Sequence, residues 1–360
     1  MPFSRRYKGR SRVTRLWLTV CIQTAGVGQE ENGMDTLGLY ISKRLLQAIP
    51  LIVFVMAINF WIIHAAPGDP VTYLYGQSTE MSAEQMYKLR EQMGLTRPLY
   101  VQFYRYLRQL LQGDLGFSTI NRKPVLTLIL ERLPATVLLM STAFVFSLLF
   151  GALWGVISAV NARTQIDYWG TVISLFGYSM PTFWLGLLLI LIFSLYLGWL
   201  PTMGMVTLGS ERSGLSAFVD VLRHLVLPTI TLGAYNLAVY ARLLRASMLE
   251  VLGQDFINTA RAKGLSGKAI YYKHALRNAL LPVITVAGIQ LSFMFTGAVL
   301  TETIFAWPGM GGLTYQALLQ RDYALLMGLF LMVSVCVICM SLVTDVIYTI
   351  VDPRIHYTSS

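Results

Sequence analysis

The groups in this chain that could carry chemistry are few and scattered. Its four histidines, His64, His224, His274 and His356, are far apart and fall at no ligand spacing, so no metal site is expected. Cys336 and Cys339 form a C-x-x-C, a pattern used for redox or metal chemistry in soluble proteins. Both sit in the middle of a long apolar stretch, where small apolar packing is the expected use. Glu302 and Asp345 lie near the ends of apolar stretches. Charges in lipid are costly, and at such positions a helix-end role or an ion pair is expected ahead of contact with a solute. No Ser, His and Asp set or carboxylate pair accompanies a recognisable nucleophile elbow, and no G-x-x-x-x-G-K-[ST] phosphate cradle is present. The expectation is a chain without catalytic, cofactor-binding or metal residues of its own, so any ATP-driven motion must be supplied by a partner.

The densest polar chemistry is the segment 258–282, "NTARAKGLSGKAIYYKHALRNALLP". Asp255 is a plausible N-cap, 256–263 the body of a short helix, Lys263 a residue compatible with the helix dipole and Gly264 the stop. Eight residues at 1.5 Å each span only about 12 Å, too short to cross a membrane. Phe256, Ile257 and Ala260 share one face, whereas Asn258, Arg261 and Lys263 lie largely on the others. Ser266 could cap the helix that follows, and Pro282 lies near its entry into the apolar stretch. Periodicity and charge leave two readings open. The helix could dock into a groove on another protein, or the segment could be a solvated loop whose charges fix topology and touch anionic lipid, at about 1 kcal/mol per basic residue.

The elements that must position this segment are set by composition. Of 360 residues, 55% are hydrophobic and 13% charged, against about 25% charged in a soluble domain. Six stretches are long enough to cross a bilayer core, at about 20 residues each: 45–66, 135–160, 169–197, 225–248, 281–300 and 324–350. None shows the alternation of a barrel strand. The expected fold is therefore an all-α membrane protein with six transmembrane helices.

The net charge of +10 is explained by basic residues at span ends rather than by nucleic acid. Positive-inside placement puts the N-terminus, the segment 258–282 and the C-terminus in the cytoplasm. The stretch 67–134 exceeds the length to which that rule applies and is placed outside. Within it, Ser82 followed by Gln85 resembles a capping box, and a second amphipathic piece covers 98–116. Together they predict a small extracytoplasmic helical segment.

The expected organisation is a flexible basic extension over 1–38, a first span over 39–66, the outer segment 67–134, a five-helix core over 135–351 and a cytoplasmic tail over 352–360. Residues 1–33 fit a signal peptide poorly; a floppy extension, or a chain truly starting at Met34, is expected instead. The sequence "SMP" around Pro181 interrupts the third span, and Pro228 is expected in the first turn of the fourth. Such breaks border a pathway or simply kink a helix. Asn59, Tyr178, Asn236, Gln290 and Thr296 are candidates for lining a pathway, although polar side chains also join spanning helices to one another. Arg242 and Arg245 are expected to extend to the headgroups.

A resemblance favours the docking reading. "DFINTARAKGL" followed by "KHALRNALLPVIT" resembles the cytoplasmic loop of permease subunits of ATP-binding cassette importers, specifically the dipeptide, oligopeptide and nickel group. "YISKRLLQAIPL", "APGDPV", "MGLTRPLYVQFYRYLRQLLQGDLGFS", "LTETIFAWPGMGGLTYQALLQRDYALLMG" and "VTDVIYTIVDPRIHY" resemble further parts of that family in the same order. The likeness extends over about 40–357. The acidic residue often described at the start of the loop motif is absent, with Asn258 in its place, as is usual in the peptide branch.

The resemblance implies a coupling helix over 255–264, seated on an ATPase subunit. Phe256 and Ala260 would pack, Asp255 would fix the helix start, Arg261 and Lys263 would make polar contacts, and Gly264 would permit the exit, with Ile257 and Thr259 in the same helix. It implies a second homologous permease, two ATPase subunits holding ATP and Mg, and an extracytoplasmic solute-binding protein, all at a bacterial inner membrane. The carried solute stays open among dipeptides, longer peptides, glutathione-like compounds, nickel chelates and some sugars. The rival readings are an ion-driven secondary transporter, which would need charged or unwound midplane sites and usually a repeat, and a membrane scaffold.

Overall fold

Long apolar runs can satisfy their backbone in lipid only as helix, and helix dominates here. A computed structural model describes residues 33–66, 68–75, 82–207, 209 and 214–351, and the side chains within them apart from 33–41, 43, 74–75, 292–297 and 345–351. The chain divides into two units, Met1–Ile49 and Pro50–Ser360. The first, where described, is the start of helix α1 (Gly33–Ala65). The expected extension 1–38 and tail 352–360 lie mostly outside the described residues, but helix is already present from Gly33, ahead of the expected start near Leu39.

In the second unit, short helices α2 (Pro70–Tyr75), α3 (Ala83–Gln92) and α4 (Leu99–Leu111) follow α1. A two-stranded hairpin, β1 (Phe117–Ser118) and β2 (Lys123–Pro124), comes next. The capping box at Ser82 and Gln85 forms as expected. Asp69 ties the start of α2 to α3, accepting from Thr72 N–H at 2.7 Å and from Arg90 Nε at 2.7 Å.

The long helices are α5 (Val125–Val160), α8 (Leu215–Leu252), α11 (Leu276–Ile304) and α13 (Tyr323–Val351). Helix α6 (Gln165–Ser179) leads into α7 (Thr182–Leu189), which continues as a π-helical turn to Tyr196. Four windows, Arg44–Ala65, Val125–Val160, Leu215–Leu252 and Tyr323–Thr344, are long and apolar enough to cross a membrane, and the bent pair of α6 with α7 would make a fifth. The expected stretch 281–300 falls within α11.

Two boundaries differ from expectation for one reason: an apolar window reports lipid contact, whereas helical geometry continues into polar flanks. Helix α5 starts at Val125 rather than 135, and α8 at Leu215 rather than 225, so Pro134 and Pro228 are interior. The third span is a broader departure. Instead of one interrupted helix, its halves meet at 107°. Proline disfavours helical geometry in the residue before it, and Met180 is extended at φ −74° and ψ 132°.

Helices α5 and α8 pack closely through Gly151 and Gly155. A Cβ at Gly151 would meet Leu237 O at 2.9 Å, and one at Gly155 would meet Ala241 O at 2.8 Å. This spacing of small residues is a means of bringing helix backbones together in membranes.

Candidate functional site

Helix α9 (Asp255–Ala262) connects α8 to a turn of helix α10 (Gly267–Ala269), which passes through a π-helical turn, Ile270–Ala275, into α11. Its root is a cluster of buried side chains from several elements. Ile257 is fully buried and Ala260 is 6% exposed, packed with Val156 and Ala159 of α5, Leu244 and Met248 of α8, and Ala279 and Val283 of α11. Phe256, by contrast, is 38% exposed. Asp255, Thr259, Arg261 and Lys263 are also exposed.

This division corrects the expected packing face. Ala260 is used against its own chain, together with Ile257, and Phe256 is the apolar side chain left open. Asp255 is the first helical residue rather than the N-cap, which is Gln254. The exit follows the expected stop. Gly264 takes φ +76° and donates to Arg261 O at 2.9 Å, while Leu265 N–H reaches Ala260 O at 3.3 Å. These two bonds form a Schellman motif. Nothing lies within 4 Å of a Cβ at Gly264, so conformation rather than space calls for glycine there. Ser266 accepts from Ala269 N–H and caps the next helix as expected.

The opposite end of α11 is a closed polar knot. Glu302, fully buried, accepts from Thr136 Oγ1 at 2.6 Å, from Gly311 N–H at 2.6 Å and from Gly312 N–H at 3.0 Å. The glycines open helix α12 (Met310–Gln320), so the carboxylate faces the positive end of that helix. Met310 N–H donates to Thr136 Oγ1 at 2.8 Å, and Trp307 Nε1–H donates to Ala135 O at 2.9 Å. The expected helix-end role of Glu302 is thus met. Asp345 is among the residues whose side chains are not described.

A model of the family described as binding-protein-dependent transport system inner membrane component matches residues 151–357, and a model of the N-terminal part of such membrane components matches 38–140. The chain belongs to this family. It is similar to the oligopeptide transport system permease protein AppB of Bacillus subtilis, at 41% identity over 88% of this chain and 99% of that protein. It is also similar to the di/tripeptide transport system permease protein DppB of Pseudomonas aeruginosa, at 42% identity over 88% and 98%. The glutathione transport system permease protein GsiC of Escherichia coli strain K12 is 40% identical over 88% and 99%. A solved structure of the MetNI methionine ABC transporter, in an inward facing conformation, shares the fold, with TM-score 0.51 and 18% identity over 63% of this chain and 97% of that one. The resemblance to importer permeases read from the sequence is therefore borne out.

In this permease the two arginines expected to extend to the headgroups have other uses. Arg245 holds Asp167 bidentately, Nε to Oδ1 at 2.6 Å and Nη2 to Oδ2 at 2.7 Å. Asp167, at 4% exposure, also accepts from Ser158 Oγ at 2.7 Å and Arg163 N–H at 2.9 Å. That network joins α5, α6 and α8 close to the root of α9. Asp167 passed unnoticed in the sequence because it sits between apolar stretches, where a carboxylate is unremarkable. Arg242 lies over the Tyr178 ring, 4.3 Å from its centroid.

The candidate pathway residues do not form one group. Tyr178 is 41% exposed and stacks with Tyr235 at 5.0 Å. Asn236 is buried, and its Oδ1 has no hydrogen-bond partner among the described residues. Asn59 and Gln290 are half-buried, and the side chain of Thr296 lies outside the described residues.

Proposed function

We propose that this permease forms half of an import pore for peptides or similar small solutes and is driven through α9 by an ATPase subunit. The observation that carries this reading is the split of α9: Ile257 and Ala260 root it in three long helices, while Phe256, Arg261 and Lys263 are presented outward. A rigid helix with one anchored and one open face transmits displacement in place of absorbing it. The relatives named as oligopeptide, di/tripeptide and glutathione permeases support the solute class.

In this reading six spans cross the bacterial inner membrane, with both termini and α9 on the cytoplasmic side and α2 to α4 outside. A second homologous permease completes the pore. Two ATPase subunits bind ATP and Mg, and an extracytoplasmic solute-binding protein docks on the outer segment. ATP binding and hydrolysis shift the population between two packed arrangements of the spans.

Cysteine cross-linking in native membranes tests the docking. Phe256→Cys is expected to cross-link to a copurifying ATPase subunit, and Ile257→Cys is not. Failure of ATPase subunits to copurify, or cross-linking of Phe256→Cys to lipid alone, would overturn the reading.

A further inference from the structure

Arg242 is a charge without a counter-charge among the described residues, in a 38-residue helix, about 15 Å from that helix's end at Leu252 at 1.5 Å per residue. Its Nε is buried with no hydrogen-bond partner, and no carboxylate pairs with it among the described residues. Asp167, the acidic side chain that reaches α8 nearby, is already held by both ends of the Arg245 fork. A guanidinium at such a position costs free energy unless something completes it.

Its surroundings are aromatic. The guanidinium lies 4.3 Å from the Tyr178 ring centroid. Tyr178 and Tyr235 stack at 5.0 Å with 23° between their planes, and each keeps 41% of its surface exposed. Tyr178 directly precedes the break at which α6 and α7 meet at 107°. Unwound backbone at membrane depth is tolerated where it is buried in protein or lines a water-filled cavity, but not against lipid. The backbone at this break therefore faces protein or water, and the exposed aromatic pair lies beside it.

We propose that Arg242, walled by Tyr178 and Tyr235, binds the carboxylate of the transported solute as it passes the bend between α6 and α7. A planar guanidinium recognises a carboxylate through two parallel hydrogen bonds, and the stack on Tyr178 fixes the fork's plane. The ligand class is a small solute with a free carboxylate, which every unmodified peptide supplies. This rests on the reading of the chain as a peptide permease.

The test uses the complete importer in proteoliposomes. A labelled dipeptide and its C-terminal amide are each supplied at a concentration that saturates the binding protein. For each solute, uptake by the Arg242→Gln variant is divided by uptake by the parent. The dipeptide ratio is expected to fall about tenfold or more, the amide ratio to stay within about twofold, and Arg242→Lys to restore part of the dipeptide ratio. Equal falls for both solutes would mean that Arg242 holds helices together or touches lipid phosphate, and would overturn the proposal, as would no fall for either. Basal ATPase activity and membrane abundance of the variant confirm assembly. Transport of neither solute by the parent would instead overturn the peptide reading itself, and is distinguished because it needs no variant.

Discussion

The two ends of α11 treat polar groups in opposite ways. At the Glu302 end, a carboxylate, a threonine hydroxyl, an indole N–H and three backbone N–H groups satisfy one another inside the fold. At the α9 end, Ile257 and Ala260 are turned inward and Phe256 and the basic side chains outward, where among the described residues Arg261 donates to Asn258 at 3.4 Å. A closed network makes a fixed point, because leaving any buried member unpaired costs its desolvation. An open face leaves its side chains available. The contrast separates an end closed within the fold from the end that, in the proposed function, meets a partner.

The largest test of that contrast is at the closed end. Glu302→Ala strands Thr136 Oγ1 and the N–H groups of Gly311 and Gly312, and is expected to cost on the order of 3 kcal/mol. A large fall in the thermal unfolding midpoint of the purified complex would register it, and an unchanged midpoint would show that the knot is dispensable.

At the open end, neighbouring residues should separate. Ile257→Ala empties a buried position and should cost about 2 to 4 kcal/mol. Gly264→Val forces a branched side chain to φ +76°, at about 1 to 2 kcal/mol, and should reduce uptake further than its abundance explains. Equal uptake at matched abundance would remove Gly264 from the coupling path. Phe256→Ala should shift stability by no more than about 0.5 kcal/mol, yet abolish most uptake. A Phe256 variant that melts early but transports normally would reverse the assignment of faces.

The smallest effect belongs to Asp69. Partial burial opposes its charge, but bonds from Thr72 and Arg90 win and hold its carboxyl below the ordinary value of 3.8. The stabilisation is therefore complete above that ordinary value and is lost as pH falls through the lower folded value. Amide exchange in α3 should accelerate over that acid range in the parent, and Asp69→Asn should flatten the dependence.

Much of this was legible from residues near in sequence. The capping box at Ser82 and Gln85, the stop at Gly264 and the cap at Ser266 each involve neighbours within a turn or two, and formed as expected. The sharp break at Pro181 was legible as a break but not as a 107° bend, since proline removes a hydrogen bond without fixing where the chain goes next. The partition of Phe256 from Ala260 was not legible, because both lie on one face by periodicity and only the packing of α5, α8 and α11 decides which is covered.

By itself, the sequence determined that the chain lives in a membrane, that it is helical, where its helices are punctuated and which family it belongs to, because apolar run length, capping and proline act locally. Only the tertiary structure decided that Glu302 caps α12 from within, that Arg245 holds Asp167 and that Arg242 lies over Tyr178, itself stacked on Tyr235. Those outcomes depend on which side chains distant in the chain meet once helices pack, and charge alone carries no record of its partner.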